Sequence, residues 1–245
     1  MSLHKNIKWR KGIALGMAVL LAFSGTACGK KKETSNVKEK EETVTSFEKE
    51  NLKMDTCVMA VGDEEVTLNE MLFYIYQLKT NYDGSLTSEV WQYNYEKGKS
   101  IEEYAKEELV NEIAQVKIIC QEAQLQGYDL SEEEANEAEV NAEKYVESLP
   151  RDAKAYHLTK ELVAKIYKDH ALAKKMYDVV SGTIDTNVSD DEIAKKGNNP
   201  EKKSKYKEEI LKEREKKQFQ KEFSKWKKHY DIVASQTLLD KISFN

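Results

Sequence analysis

The spacing of apolar residues predicts a chain built mainly from amphipathic helices. From Leu68 onwards, apolar side chains recur at intervals of three and four residues, which places them on one face of a helix. Helices are predicted to begin near residues 68, 101, 132, 159, 190 and 201. Glycine and proline are scarce, at ten and two residues in 245, which disfavours an all-β fold rich in turns.

Four of the predicted helices begin with a capping box, in which two side chains satisfy backbone N–H groups at the helix start. The boxes are Thr67–Glu70, Ser100–Glu103, Ser131–Glu134 and Ser189–Glu192. Carboxylates at a helix N-terminus lie at the positive end of the helix dipole, so these acids need no catalytic role. The run Glu132–Glu134 could instead attract cations, an alternative that the pattern leaves open.

Two segments predict β structure. Cys57–Val61 is apolar, Gly62–Glu64 is typical of a turn, and Glu65–Thr67 returns, which together predict a short hairpin. At the other end of the chain, Asp231–Ser235 is a candidate strand.

The last long helix, predicted over residues 201–230, is basic and carries an aromatic stripe. It holds 12 Lys and Arg against six Glu, a net charge of +6, whereas residues 101–149 hold 14 acids against three Lys, a net charge of −11. Its aromatic residues lie on one face: Phe219, Phe223, Trp226 and Tyr230. We therefore expect this helix to return and pack on the acidic helices. Solvated charge on both surfaces is the alternative.

The first 27 residues have the layout of a secretory signal peptide. Four basic residues precede the uncharged apolar run Ile13–Phe23, and small residues follow it up to Cys28. The run is shorter than the roughly 20 residues that a transmembrane helix needs. Small residues directly before Cys28 resemble the lipobox of bacterial lipoproteins, although Gly25 occupies the usual leucine position. This resemblance implies a lipid on Cys28 and anchoring at the extracytoplasmic face of the cell membrane. Ordinary secretion and an uncleaved anchor are the alternatives.

After cleavage, residues 28–53 form a polar segment rich in Lys, Glu, Thr and Ser, which predicts a flexible tether. The folded part is then expected over residues 54–245. Cleavage removes four positive charges, so the mature charge is 35 − 44 = −9, which disfavours nucleic acid as a partner. Cys57 and Cys120 both lie in apolar runs and are expected to be buried thiols, with a disulfide between them as the alternative.

Four segments of the folded part resemble the SurA/PrsA group of extracytoplasmic folding factors. Val61–Glu70 is similar to the strand, turn and capped helix that open the chaperone domain of that group. Leu158–Leu162 and Asn187–Ile193 look like its last N-terminal helices, and the basic terminal helix with its short strand looks like its C-terminal return. The resemblance implies a mainly α fold, with a SurA N-terminal-like helical domain, a short N-terminal β-hairpin and a long returning C-terminal helix.

One departure from this group concerns catalysis. Its foldases carry a parvulin prolyl isomerase domain before the terminal helix, but only 26 residues separate Glu192 from Phe219. We therefore expect the parvulin domain to be absent, and we expect no catalytic residue, cofactor or metal ion. His170 could serve as an acid or base, although a histidine at the edge of the core is the simpler interpretation.

The resemblance favours a membrane-tethered chaperone, or holdase, that binds unfolded secreted polypeptides. The alternatives are a peptidyl-prolyl isomerase-type foldase and a structural or interaction lipoprotein of the cell surface. Adaptable aromatic and methionine side chains suit loose apolar recognition. The candidate peptide-binding residues are Met71, Phe73, Tyr74, Trp91 and Tyr95. Core packing is the alternative role of the aromatic residues at positions 91, 93 and 95.

Overall fold

The computed structural model describes residues 52–82, 88–96 and 98–244. The predicted signal peptide, Cys28 and the tether up to residue 51 lie outside these residues. About 70% of the described residues are helical, which confirms the prediction of a mainly α fold.

The described helices and strands follow one another closely along the chain. The strands are β1 (Cys57–Val61), β2 (Glu64–Thr67), β3 (Asn94–Glu96), β4 (Lys99–Ser100) and β5 (Ile232–Ala234). The α-helices are α1 (Leu68–Tyr82), α2 (Ile101–Leu125), α3 (Glu132–Ser148), α4 (Lys160–Ser181), α5 (Asp190–Lys196), α6 (Lys203–Trp226) and α7 (Gln236–Leu239). Short 3₁₀ helices cover Ser88–Gln92, Arg151–Tyr156, Pro200–Lys202 and Lys227–His229.

The helix starts follow from local sequence in three of the four expected capping boxes. The side chains of Ser100, Ser131 and Ser189 each accept a hydrogen bond from the backbone N–H three residues on. The glutamate at that position accepts one in turn from the backbone N–H of the serine. The box expected at Thr67–Glu70 is wrong. There the Thr67 hydroxyl donates to the Asn69 side chain at 2.6 Å, and the Glu70 carboxylate pairs with two lysines instead.

The predicted hairpin forms, and the end of the chain completes its sheet. β1 pairs antiparallel with β2 on one side and with β5 on the other, in the order β2-β1-β5. Gly62 occupies the first turn position with φ 57°, a conformation that a type II′ hairpin turn requires and that glycine adopts without strain. The Gln121 side chain on α2 donates to the Val61 carbonyl at 2.9 Å, which fixes the hairpin against that helix.

The core lies between the hairpin, α1, α2 and α4. The large aliphatic side chains that are fully buried there include Leu68, Met71, Leu72, Ile75, Ile113, Ile118 and Ile119. The acidic helix α3 packs along α4 through small residues, of which Ala138 and Ala142 are buried. This arrangement leaves the charged face of α3 in solvent.

The basic helix α6 does return onto the domain. Its aromatic stripe accounts for this, because Phe219 is buried with its ring centre 4.9 Å from that of Tyr177 on α4. The main partners of α6 are α4 and α5, and it also touches α2. The expected docking on the acidic region therefore holds for α2, while apolar contact with α4 decides where the helix lies.

Near the end of the chain, Leu239, Ile242 and Phe244 are buried, which no sequence pattern indicated. Phe244 packs edge to face on Trp91 with ring centres 5.0 Å apart, and its backbone N–H donates to Glu102 at 3.2 Å. Trp91 is thereby enclosed in the core.

Cys57 and Cys120 are both free thiols in the structure. The expectation of burial is correct for Cys120 and wrong for Cys57, which is exposed. The pairing of β1 with β2 is irregular between Cys57 and Met59, and β5 pairs only with Met59–Val61, so Cys57 lies outside the part of β1 that the fold covers.

Candidate functional site

A cleft of about 90 Å³ opens between α1, α2 and α4. The spacing of three or four residues that builds a helix face also brings the lining residues together. The lining consists of Phe73, Tyr74, Gln77, Leu78, Asn81, Leu109, Glu112, Ile166, Tyr167 and His170. Most of these side chains are apolar or aromatic, so the cleft can exclude water from a bound apolar group.

Aromatic contacts hold one wall of the cleft in place. The Phe73 ring lies edge to face against Tyr167, with ring centres 6.2 Å apart, and against Tyr145 of α3 at 5.8 Å. The Tyr145 hydroxyl accepts a hydrogen bond of 2.7 Å from the Gln77 amide. Edge-to-face pairs of this kind add stability beyond burial alone, so the wall is preformed.

A buried ion network lies behind the cleft. Lys117, 2% exposed, contacts Glu70 at 2.8 Å and Asp169 at 2.6 Å. The half-exposed Lys165 reaches the second Glu70 oxygen at 3.2 Å. Burial alone would lower the pKa of Lys117, but Asp169 and Glu70 raise it above its usual value. Lys117 therefore stays protonated and holds α1, α2 and α4 together.

Tyr74 and His170 line the cleft and also lie within the electrostatic influence of this network. The Tyr74 hydroxyl lies 2.8 Å from Nε2 of His170, and the two rings stack with centres 5.7 Å apart. Burial, and secondly the charge of Lys117, lower the pKa of His170 to about 4. Burial and the charge of Glu70 raise the pKa of Tyr74 well above its usual value. Both groups are therefore neutral near pH 7.

Cys120 belongs to the same buried layer. Its thiol donates to the Asp169 carbonyl at 3.1 Å, and burial raises its pKa, with a further contribution from the Asp169 charge. A thiol held in its protonated form is a poor nucleophile. The buried layer therefore has the character of a structural network.

Glu112 differs from the residues of this structural network. It lines the cleft from α2, and burial, followed by the charge of Glu108, raises its pKa to about 7. Within the part of the chain that the structure describes, no hydrogen bond or ion pair engages its carboxylate. A carboxylate left without a partner in a mostly apolar cleft costs stability, which marks it as a functional candidate.

The five sequence-predicted binding residues do not form one surface. All but Tyr95 belong to the buried core, at 1–5% exposure, but only Phe73 and Tyr74 line the cleft, and Met71 and Trp91 do not. Tyr95 lies in the β3–β4 hairpin, with its ring centre 5.1 Å from that of Tyr104. His170, weighed as an acid, a base or a core-edge residue, is partly buried and touches the cleft.

Sequence reasoning missed Glu112, Lys117, Tyr167 and Asp169. The sequence held a clue to two of these four residues. Glu112 and Lys117 are charged, yet both lie next to apolar positions of α2 and not together on one polar face. Which opposing charge each one meets depends on the packing of α1 and α4, which the sequence of α2 does not specify.

Among the described residues, no group of three or more His, Cys, Asp and Glu side chains is placed to hold a metal ion. No helix in the described ranges is both long and apolar enough to cross a bilayer. Comparison of the chain with protein-family models, with curated proteins and with solved structures finds no match.

Proposed function

We propose that this protein is a membrane-tethered extracytoplasmic chaperone that holds unfolded secreted polypeptides. The observation that carries the proposal is the preformed aromatic cleft between α1, α2 and α4. Its volume of about 90 Å³ is well below the roughly 300 Å³ at which pockets begin to enclose drug-sized ligands. A cleft of this size suits one side chain of an extended chain whose backbone stays outside.

The resemblance to the SurA/PrsA group supports the same proposal. In that group a hairpin and capped helix open the chaperone domain, and a basic terminal helix returns to it. Here β5 pairs with β1, and α6 packs on α4. The lipid on Cys28 and the tether of residues 28–53 would hold this domain near the membrane face where secreted chains emerge.

The isomerase alternative has less support. In the group's foldases the parvulin domain lies between the helices that correspond to α5 and α6. In this chain residues 197–202, including one short 3₁₀ helix, join these two helices directly.

An exposed apolar patch wider than a few hundred Å² would favour peptide binding over the interaction-lipoprotein alternative. Among the described residues, the large exposed apolar side chains come from separate elements or loops, so the proposal rests on the cleft and not on a surface patch. These side chains are Tyr93, Leu125, Val140 and Val233, with Tyr95 at the margin of exposure. Single exposed apolar residues are normal on protein surfaces.

Aggregation of an unfolded client tests the holdase function. Protein lacking only the predicted signal peptide is added at an equimolar ratio to a chemically unfolded client, and light scattering is followed after dilution. We expect the wild type to delay aggregation and Leu78→Glu, which places a charge at the rim of the cleft, to lose most of this effect. Leu125→Glu is the matched control because Leu125 is 77% exposed and lies four turns further along α2 than the cleft residue Leu109.

A wild type that leaves aggregation unchanged would refute the proposal. If both variants lost the protection against aggregation equally, the cleft would not be the site that binds the client. The anchor is tested separately by mass spectrometry of the mature N-terminus, where a diacylglyceryl group on Cys28 is expected. An unmodified Cys28 would contradict the anchor and leave the holdase function standing.

A further inference from the structure

The charges around the cleft are unbalanced. Among the residues that line it, Glu112 is acidic and none is a lysine or an arginine. Glu108, one turn earlier on α2, adds a second carboxylate nearby. Lys117, a buried cation on the same helix, already contacts the two carboxylates of Glu70 and Asp169. The cleft therefore presents uncompensated negative charge to whatever enters it.

We propose that the cleft binds the basic side chain, lysine or arginine, of an unfolded polypeptide, with its charged end beside Glu112 and its aliphatic stem along Phe73 and Tyr167. This inference rests on the proposed holdase function and specifies which residues of a client the site selects. An acidic client side chain would meet like charge there.

Two physical effects favour a cation in this position. An opposite charge beside a partly desolvated carboxylate interacts more strongly than it would in water. Aromatic rings also attract cations to their faces, and Phe73, Tyr74 and Tyr167 surround the same space. Lysine and arginine suit such a site because their stems are apolar and only their ends are charged.

The neighbouring titratable groups do not supply a competing charge. Tyr74 on α1 and His170 on α4 are neutral near pH 7, and Glu108 on α2 is acidic. The pKa of about 7 at Glu112 adds a coupling to protons, because a bound cation favours the ionised carboxylate. Binding of a basic side chain should therefore release a proton and strengthen between pH 6 and pH 8.

Peptide binding tests the inference. Three unstructured fluorescent peptides, identical except for a central lysine, norleucine or glutamate, are titrated with protein lacking only the signal peptide, and anisotropy gives each Kd. At pH 8 we expect the lysine peptide to bind about tenfold more tightly than the norleucine peptide, and the glutamate peptide to bind least. At pH 6 the preference for lysine should shrink to about twofold, because Glu112 is then mostly protonated.

A matched pair of variants assigns the preference to Glu112. Glu112→Gln should reduce the preference for lysine at pH 8 to about twofold while norleucine binding stays within about twofold of wild type. Glu137→Gln, an equivalent change at an exposed position on α3, should leave all three affinities unchanged. Because Glu112→Gln removes a charge that lacks a partner, the variant is expected to fold.

Each outcome decides a different point. Equal binding of the lysine and norleucine peptides would overturn the inference and leave the holdase function intact, whereas no binding of any peptide would overturn both. A lysine preference that survives in Glu112→Gln would overturn the role of Glu112. N-acetyl-lysine amide that binds as tightly as the lysine peptide would overturn the choice of a polypeptide as the occupant.

Discussion

The hydroxyl of Tyr74 on α1 lies 2.8 Å from Nε2 of His170 on α4. This contact joins the two helices within the lining of the cleft, and both groups are neutral near pH 7. The positive charge of Lys117 is neutralised by Glu70 and Asp169. Among the lining residues, Glu112 is the acidic one.

The ion network gives the strongest stability prediction. Lys117→Met should destabilise the protein by about 3–5 kcal/mol, because it removes the buried cation from both carboxylates and leaves the buried Glu70 with only the half-exposed Lys165. Urea unfolding followed by circular dichroism measures the change. Lys168→Met is the control, since Lys168 lies on the surface of α4 and pairs with the half-exposed Glu139, so its loss should cost about 1 kcal/mol or less. Equal losses in the two variants would contradict the network's structural role.

The raised pKa of Glu112 predicts that the protein loses stability as pH rises. Folding raises the pKa of this carboxyl to about 7, so the folded protein binds more protons than the unfolded chain between about pH 4.5 and pH 7. Replacing it by glutamine removes this effect, so Glu112→Gln should be stabilised relative to wild type, by on the order of 2 kcal/mol more at pH 8 than at pH 5.

Urea unfolding of both proteins at the two pH values measures this difference. Glu137→Gln serves again as the control and should show no such dependence, since Glu137 is exposed. A difference between Glu112→Gln and wild type that is the same at pH 5 and pH 8 would show that Glu112 titrates normally.

His170 predicts the opposite dependence on pH. Its pKa is lowered to about 4, so the unfolded chain binds more protons than the folded protein between about pH 4 and pH 6.5. The stability that the neutral histidine provides is therefore lost as pH falls through this window, by about 2–3 kcal/mol at pH 4.5. His170→Gln, which keeps a hydrogen-bonding group near Tyr74, should lack this loss.

To test this, the change in unfolding free energy between pH 7 and pH 4.5 is measured for wild type and for His170→Gln. His229→Gln is the control, because the His229 side chain is 70% exposed. If His170→Gln lost as much stability on acidification as wild type, the proposed neutral Tyr74–His170 pair would be refuted.

The hairpin turn predicts that replacing glycine by alanine costs more stability at Gly62 than at Gly127. Gly62 and Gly127 both have positive φ, 57° and 78°, so alanine costs about 1 kcal/mol at either position. A Cβ at Gly62 would also lie 2.7 Å from both the Tyr230 ring and the Gln121 side chain, whereas a Cβ at Gly127 meets nothing within 4 Å. Gly62→Ala should therefore be destabilised by about 1–3 kcal/mol more than Gly127→Ala in thermal or urea unfolding. Equal destabilisation would mean that the hairpin shifts freely away from α2.

Local sequence was sufficient where neighbouring residues decide the structure. Ser100, Ser131 and Ser189 begin helices through bonds within four residues of the chain, so their capping boxes could be predicted. The same signal failed at Thr67–Glu70, because Lys117 lies 47 positions beyond Glu70 and offers that carboxylate an opposite charge in the core. The exposure of Cys57 was missed for a related reason, since an apolar run does not show how far along it the covering strand β5 will pair.

The candidate site shows the same division. Phe73 and Tyr74 could be identified as aromatic residues on a helix, and both do line the cleft. Met71 was proposed beside them but faces the core, because neighbouring positions on a helix differ in direction by about 100° and the packing of α2 and α4 decides which face is covered. Trp91 was proposed from a loop rich in aromatics, and the burial of Phe244 against it came from the far end of the chain.

By itself, the sequence determined the mainly α class, the positions of most helix starts, the hairpin at Gly62 and the return of the basic C-terminal segment. The class, the helix starts and the hairpin depend on periodicity, caps and turns, which are set by residues close together in the chain. The return was predicted from the aromatic stripe, which has to be covered somewhere. Only the tertiary structure decided that Lys117 is shared by Glu70 and Asp169, that Tyr74 meets His170, and that Glu112 lines a cleft without a partner. Each of these contacts joins different helices, so it exists only once α1, α2 and α4 have packed together.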